Sequence, residues 1–191
     1  MADQLSAQDW LEQGLKTLAK SGFTALKAER LAKAMGVSRG SFYWHFADIG
    51  AFHAAILTYW REVAAEAIIA DVEADGREHP LRFLLQRTFG ARLDLEKAVR
   101  NWASFDPAAR LAVRAIDRRR LDYVEGLLRS AGFAQAAARA RAQILYWSFV
   151  GFALSDEALP RARMQAVLDE LLRIASRSDV LGTSQSNVLD T

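Results

Sequence analysis

Apolar residues recur along most of this chain at intervals of three and four, and no segment alternates apolar with polar as a strand would. Leu11, Leu15 and Leu18 share one face behind Ser6 and Asp9, a capping hydroxyl followed three residues later by an acid. This predicts a first helix to about Ser21, stopped by Gly22, which accepts a left-handed backbone without steric cost. A second short helix is predicted over Lys27–Met35, burying Leu31, Ala32 and Met35. Gly36, Val37 and Ser38 break it, and Ser38 is placed to cap a third helix over Arg39–Phe46. Asp48 caps a fourth, whose stripe of Phe52, Ile56, Tyr59 and Val63 continues towards Asp75 and joins a small N-terminal module to a larger body.

Gly76–Pro80 is the clearest break, with Pro80 positioned to open a new helix. Further helices are predicted over Pro80–Leu93, Leu95–Phe105, Pro107–Ala131, Ala134–Leu154 and Arg161–Arg177. The fold class is therefore all-α, about nine helices in total, with an N-terminal three-helix bundle followed by a larger helical body. Ile144–Leu154 is apolar nearly all round and needs a second buried contact. One solution is a central place in the chain's own core. The favoured one is a symmetric four-helix interface with a second copy, built from Trp147, Val150, Gly151 and Leu154 together with Leu168, Leu171 and Leu172 of the last helix. Residues 179–191 have turn formers and no period, which predicts a disordered tail.

Composition narrows the function. The 191 residues are 51% hydrophobic, with only 3 prolines, enough to bury a sizeable core. Cysteine is absent, which excludes disulfides, thiolate metal sites and a cysteine nucleophile. The N-terminus has acids and no basic-then-apolar leader, and no uncharged run is long enough for a bilayer, so a cytoplasmic location without membrane contact is expected. Net charge is only +2, yet from Lys16 to Ala47 the bases Lys16, Lys20, Lys27, Arg30, Lys33 and Arg39 face a single acid, Glu29. That local excess points to a polyanion.

The segment Lys27–Phe46 gives the excess a geometry. Ala32 is small where two helices must cross closely, Gly36 permits the turn four residues later, and Val37, Phe42, Leu31 and Met35 form a miniature core that fixes the crossing. Arg39, Gly40, Ser41, Tyr43, Trp44 and His45 then face outward, the pattern of a helix-turn-helix whose second helix enters the major groove. Arg39, at the start of that helix, is the leading base reader, since its fork matches O6 and N7 of guanine. Gly40 leaves room for approach and Ser41 suits a base or a phosphate. Tyr43 and His45 suit the backbone, Trp44 a sugar or thymine methyl, and Lys27 a phosphate at its helix's N-terminus; Ser38, the cap, completes the DNA-binding set.

Gly36-Val37-Ser38 followed by Phe42-Tyr43-Trp44-His45-Phe46 resembles the tetracycline-repressor family, densely from about Leu11 to Ile56. Trp102, Asp106-Pro107 and Arg118–Leu121 resemble a body type in one of its branches. The resemblance implies a homodimer that reads palindromic double-stranded operator DNA, and a C-terminal cavity for a small-molecule effector whose binding releases the DNA. Repression is the commoner mode in that family. It also implies a division into a DNA-binding domain at 1–50 (motif 27–46), an effector-binding and dimerisation domain at 51–178, and the tail. Two positions depart from the family pattern: Lys27 stands where threonine often caps the second helix, and Ala47-Asp48-Ile49 lacks the lysine that often opens the fourth. Each lost phosphate contact flattens the salt dependence by about 0.9 in log-log slope.

Body aromatics Phe89, Trp102, Phe105, Tyr123, Tyr146 and Trp147 are the candidate pocket lining, suggesting a hydrophobic ligand. No cofactor or metal is expected. His45, His53 and His79 form no ligand-spaced cluster, and neither a phosphate loop nor a nucleophile elbow is present, so an enzyme is not the reading. The alternative is a helical interaction module without specific DNA binding; the basic surround of Arg39 favours DNA.

Overall fold

The computed structural model describes residues 5–74, 79–91, 93–156 and 159–176. Asp75, Gly76, Arg177 and the 179–191 tail, for which the sequence predicts a helix end, a chain break, a further helix end and disorder, lie outside the described residues.

All regular structure among the described residues is helical: α1 (Ala7–Ser21), a 3₁₀ turn (Phe23–Ala25), α2 (Ala28–Met35), α3 (Arg39–Tyr43), α4 (residues 49–73), α5 (Pro80–Phe89), α6 (Asp94–Phe105), α7 (Pro107–Ser130), α8 (Gln135–Leu154) and α9 (Arg161–Ala175). The caps explain several boundaries. Ser6 and Asp9 form a reciprocal capping box, with Ser6 N–H donating to Asp9 at 2.7 Å. Asp48 accepts from the Ala51 amide at 2.7 Å, and Asp106 from Ala109 at 2.8 Å ahead of Pro107 in the first turn of α7.

Two boundaries differ from the pattern-based expectation. α3 ends at Tyr43, not Phe46, because the chain turns to bury Phe46 against Phe42 and Phe52, with ring centroids 5.3 and 5.0 Å apart. A five-residue helix has no stability of its own, so tertiary packing sets its end. α5 ends at Phe89, where Gly90 closes it, rather than running to Leu93.

α4 is one rod with an irregular centre: α-helix at Ile49–Arg61, π-helix at Glu62–Glu66, and α-helix again at Ala67–Glu73. The Ala67 amide reaches back five residues to the Glu62 carbonyl. Such π turns absorb one extra residue and are concentrated at functional positions.

Two buried clusters run through the molecule. The lower unites Trp10, Leu18, Leu31 and Phe42 of the N-terminal helices with Trp60, Val99, Trp102 and Ile116 of the body. The upper joins Leu85, Phe89, Leu128, Leu145, Phe149, Leu168 and Leu171. The boundary expected at residue 50 is thus bridged by packing. His53 of α4 reinforces the junction: its Nε2 lies 3.0 Å from the Leu26 carbonyl, and its ring meets Phe23 and Trp102.

α1 approaches α4 closely through Gly14, where an added Cβ would stand 2.4 Å from Ile56 Cδ1 and 2.8 Å from Phe52 Cζ. Both neighbours are fully buried and have little room to retreat. Gly14→Ala is therefore expected to destabilise the protein by about 1–3 kcal/mol despite alanine's better helix propensity. A denaturant midpoint equal to the parent's, or above it, would contradict this packing.

Candidate DNA-reading surface and internal cavity

The turn between α2 and α3 is fixed by backbone chemistry. Gly36 adopts φ 69°, ψ 25°, a left-handed conformation suited to glycine, and the Val37 amide donates to Ala32 O at 3.0 Å. Leu31, Ala32 and Phe42 are buried beneath, and Phe42 makes edge contacts with Trp10 and Phe52 at 5.3 and 5.2 Å. What remains outward is the predicted set. Ser38, Arg39, Gly40, Tyr43 and Trp44 are exposed, and Ser41 and His45 are half-buried. Lys27 is exposed at the N-cap of α2 and makes no side-chain capping bond. Ser38 is the N-cap of α3 through its extended backbone alone, its hydroxyl making no capping bond.

Within this set Arg39 is organised by its neighbour one turn on. Its Nη2 donates to the Tyr43 hydroxyl at 3.0 Å, with the guanidinium 5.5 Å from the ring centroid. That bond raises the Arg39 pKa further, so the group is a permanent cation. Tyr43 therefore holds the Arg39 guanidinium in place, a coupling not visible from outward orientation alone. Trp44 is 87% exposed, an indole with no use in the chain's own core.

The body holds a partly open cavity of about 180 Å³ bounded by α4 to α8, with Trp60, Ala64, Ile68, Leu84, Leu145 and Phe149 among its walls. Of the six aromatic residues expected there, Phe89, Tyr123 and Tyr146 line it. Trp102, Phe105 and Trp147 do not. Trp102 is buried in the lower cluster, stacked on Phe23 at 4.6 Å, while Phe105 and Trp147 are 57% and 66% exposed. Aromatic content could not separate wall from core or surface. Much of the wall instead comes from aliphatic and small residues on the second half of α4, which the single stripe assigned to that helix did not include.

Polar atoms enter the cavity wall through an ionic quartet. Arg120 donates to both Glu96 oxygens at 3.0 and 2.9 Å; Arg100 donates to Glu96 at 2.8 Å and to Asp117 at 2.6 Å; and Tyr146 donates to Asp117 at 2.5 Å. Burial alone would push the Glu96 carboxyl up, but the Arg120 and Arg100 guanidiniums outweigh it and hold the group below the usual carboxylate range. Burial, reinforced by the bond to Asp117, pushes the Tyr146 hydroxyl up, although Arg120 opposes this. Arg120 also donates to the Ala64 carbonyl at 3.0 Å, inside the π turn, and neighbouring Arg119 grips Glu66 at 3.1 and 3.0 Å. The cavity wall and the irregular centre of α4 thus share a residue.

The residues assigned to a dimer face divide. Trp147, Gly151 and Leu154 are exposed on α8, and Val150 and Leu172 are half-buried. Leu168 and Leu171 are 8% and 4% exposed, because α9 turns them into the chain's own upper cluster; they have no surface left for a partner. No group of His, Asp and Glu suited to a metal ion occurs among the described residues, and no helix among them is long and apolar enough to cross a membrane.

A small helical head that presents an exposed third helix with Arg39, Tyr43 and Trp44 outward, packed on a larger helical body, defines a helix-turn-helix DNA-binding protein. Residues 11–56 match the family of bacterial regulatory proteins, tetR family, and that segment carries the DNA-binding head of a transcriptional regulator. No curated protein matches it. The fold is shared with the crystal structure of reduced NemR of E. coli, at 18% identity and a TM-score of 0.64, covering 88% of this chain and 92% of that one. It is shared also with BioQ, solved with its double-stranded DNA operator, at 18% identity and a TM-score of 0.52, covering 90% and 99%.

Proposed function

We propose that two copies of this chain bind a palindromic operator as a repressor, and that a small hydrophobic molecule entering the cavity releases it. The observation that carries this reading is the double duty of α4. Its first half packs Phe52 on Phe42 and Phe46 of the reading head, and its second half supplies Trp60, Ala64 and Ile68 to the cavity wall. A ligand that binds better to a state with α4 displaced lowers the DNA-competent population in proportion to that difference in affinity. The π turn, held by Arg120 and Arg119, is where such a displacement enters the rod. In this reading residues 1–50 form the reader and 51–178 the effector and dimerisation body.

Base readout is assigned to Arg39 with Gly40 and Ser41, and backbone contacts to Lys27, Ser38, Tyr43, Trp44 and His45. Selecting random DNA fragments on the purified protein and sequencing the survivors tests the proposal, with an inverted repeat as the expected product. Enrichment of single half-sites or of no sequence would reject it and favour an interaction module.

Pairing is assigned to the exposed face of α8, where Ile144, Trp147, Gly151 and Leu154 leave an apolar surface uncovered. Trp147→Glu is expected to yield a monomer in sedimentation, with operator affinity reduced by about a hundredfold as the two half-sites lose their linkage. A variant that sediments as the parent does would move the interface elsewhere.

A further inference from the structure

We infer that the cavity takes an uncharged molecule of about one ring that carries a hydrogen-bond acceptor, received by Tyr123. This rests on reading the cavity as the effector site and specifies the class of its ligand.

The volume of this partly open cavity sets the scale of the part of the ligand it holds. An apolar cavity of roughly 150 Å³ accommodates benzene. At about 180 Å³, this one suits a single ring with a small substituent.

The wall's ion pairs limit its charge. The ionisable groups on the enclosed wall, Glu96 and Arg120, belong to the quartet in which two guanidiniums, Arg100 and Arg120, meet two carboxylates, Glu96 and Asp117. Every lobe of that network is bonded inward, so it offers neither a spare cation nor a spare anion. At the mouth, Arg87 faces Asp71 at 3.9 Å, both side chains half exposed, which keeps that pair's charges in water. Glu73 and Arg119 act on the Tyr123 hydroxyl from outside the wall, so a ligand carrying a full charge would lose its hydration and meet no unpaired counterion on the wall itself.

The acceptor follows from what the wall leaves unmet. The Tyr123 hydroxyl is buried and has no hydrogen-bond partner among the described residues; the same is true of Trp60 Nε1, on a side chain that is fully buried. Both residues line the cavity. An indole N–H can only donate, and a tyrosine hydroxyl can turn its proton towards an incoming oxygen. Two unmet donors in an otherwise apolar wall select a carbonyl, ether or similar acceptor over a plain hydrocarbon.

The test is calorimetric titration of the full chain, without DNA, with four probes of one shape: toluene, acetophenone, benzoate and benzylammonium. Acetophenone is expected to bind about fivefold tighter than toluene. It should exceed both ions by at least about a hundredfold. Tyr123→Phe should reduce the advantage of acetophenone, with Trp60 Nε1 still in place, and leave toluene unchanged, an outcome that general loss of structure cannot mimic. Binding of either ion as tight as that of acetophenone overturns the charge argument. An undiminished acetophenone advantage in Tyr123→Phe overturns the role of Tyr123, and no binding of any probe overturns the proposal whole. Operator affinity is measured separately: acetophenone that binds with the expected selectivity and leaves DNA affinity unchanged upholds this inference while rejecting release by ligand.

Discussion

Arg39→Ala is expected to remove the preference for the operator over random DNA while leaving the protein folded and paired. Arg39 is exposed at the first position of α3, and its one contact of note is with Tyr43, itself on the surface, so nothing in the core depends on it. A bidentate Arg–guanine contact is worth roughly 1–3 kcal/mol, or about 5- to 150-fold per half-site, and the factor is squared when two heads bind together. Weak, salt-sensitive binding to any sequence should persist, because phosphate contacts elsewhere are untouched. Competition binding against scrambled DNA reads the difference directly; an unchanged ratio of operator to random affinity removes Arg39 from base readout. Tyr43→Phe separates two roles of the hydroxyl. If it serves only a phosphate, all sequences weaken alike; if it aims Arg39, as the 3.0 Å bond in the free protein suggests, the operator suffers more than random DNA.

Glu96→Ala is expected to cost the protein a large part of its stability. The residue is 4% exposed and accepts from both Arg120 and Arg100. Its removal leaves Arg100 with Asp117 and Arg120 with no carboxylate, only the Ala64 carbonyl, and breaking a buried pair in this way costs about 3–5 kcal/mol. For a protein whose entire stability is about 5–15 kcal/mol, that amounts to a fall in Tm of roughly 6–20 °C. A melting point within about 2 °C of the parent's would show the quartet to be dispensable. The same group predicts a pH signature. Because the folded-state pKa of Glu96 is depressed, the unfolded chain takes up this proton first as the solution is acidified. Its contribution is complete above the ordinary carboxylate range and is lost as pH falls through that range towards the folded value. The variant should therefore lose less stability than the parent on acidification, which denaturant titrations at several pH values will read.

The reading head was largely legible because its constraints are local. Gly36 needs a left-handed backbone, Ser6 and Asp48 cap by side chains three residues from their partners, and Phe42 has an apolar position that a short helix cannot expose. The premature end of α3 was not legible, since Phe46 is buried by Phe52 from the next helix. The cavity was harder still. Its wall draws on five helices, and whether an aromatic lines it depends on helix rotation: Tyr146 points into the quartet while Trp147, next in sequence, lies on the opposite, exposed side. Arg118, Arg119 and Arg120 have the pattern of a solvated run, yet the last of them is the cation that ties Glu96 to α4. Partners so distant in sequence leave no mark in periodicity. The π turn has no composition of its own and was not foreseen.

The lower cluster, from Trp10 through Phe42 to Trp102 and Ile116, bears on how such a regulator can be rebuilt. A chimera cut at residue 50 would strip Trp10 and Phe42 of Trp60, Val99 and Ile116, and leave His53 facing a foreign surface. The transplantable unit is therefore larger than the DNA-contacting segment: a reading head moved to another sensor must bring the lower ends of α6 and α7 with it. The cavity wall has more freedom where it belongs to the upper cluster, as at Leu85 and Phe149, than at Trp60, which is part of the seam that holds the head.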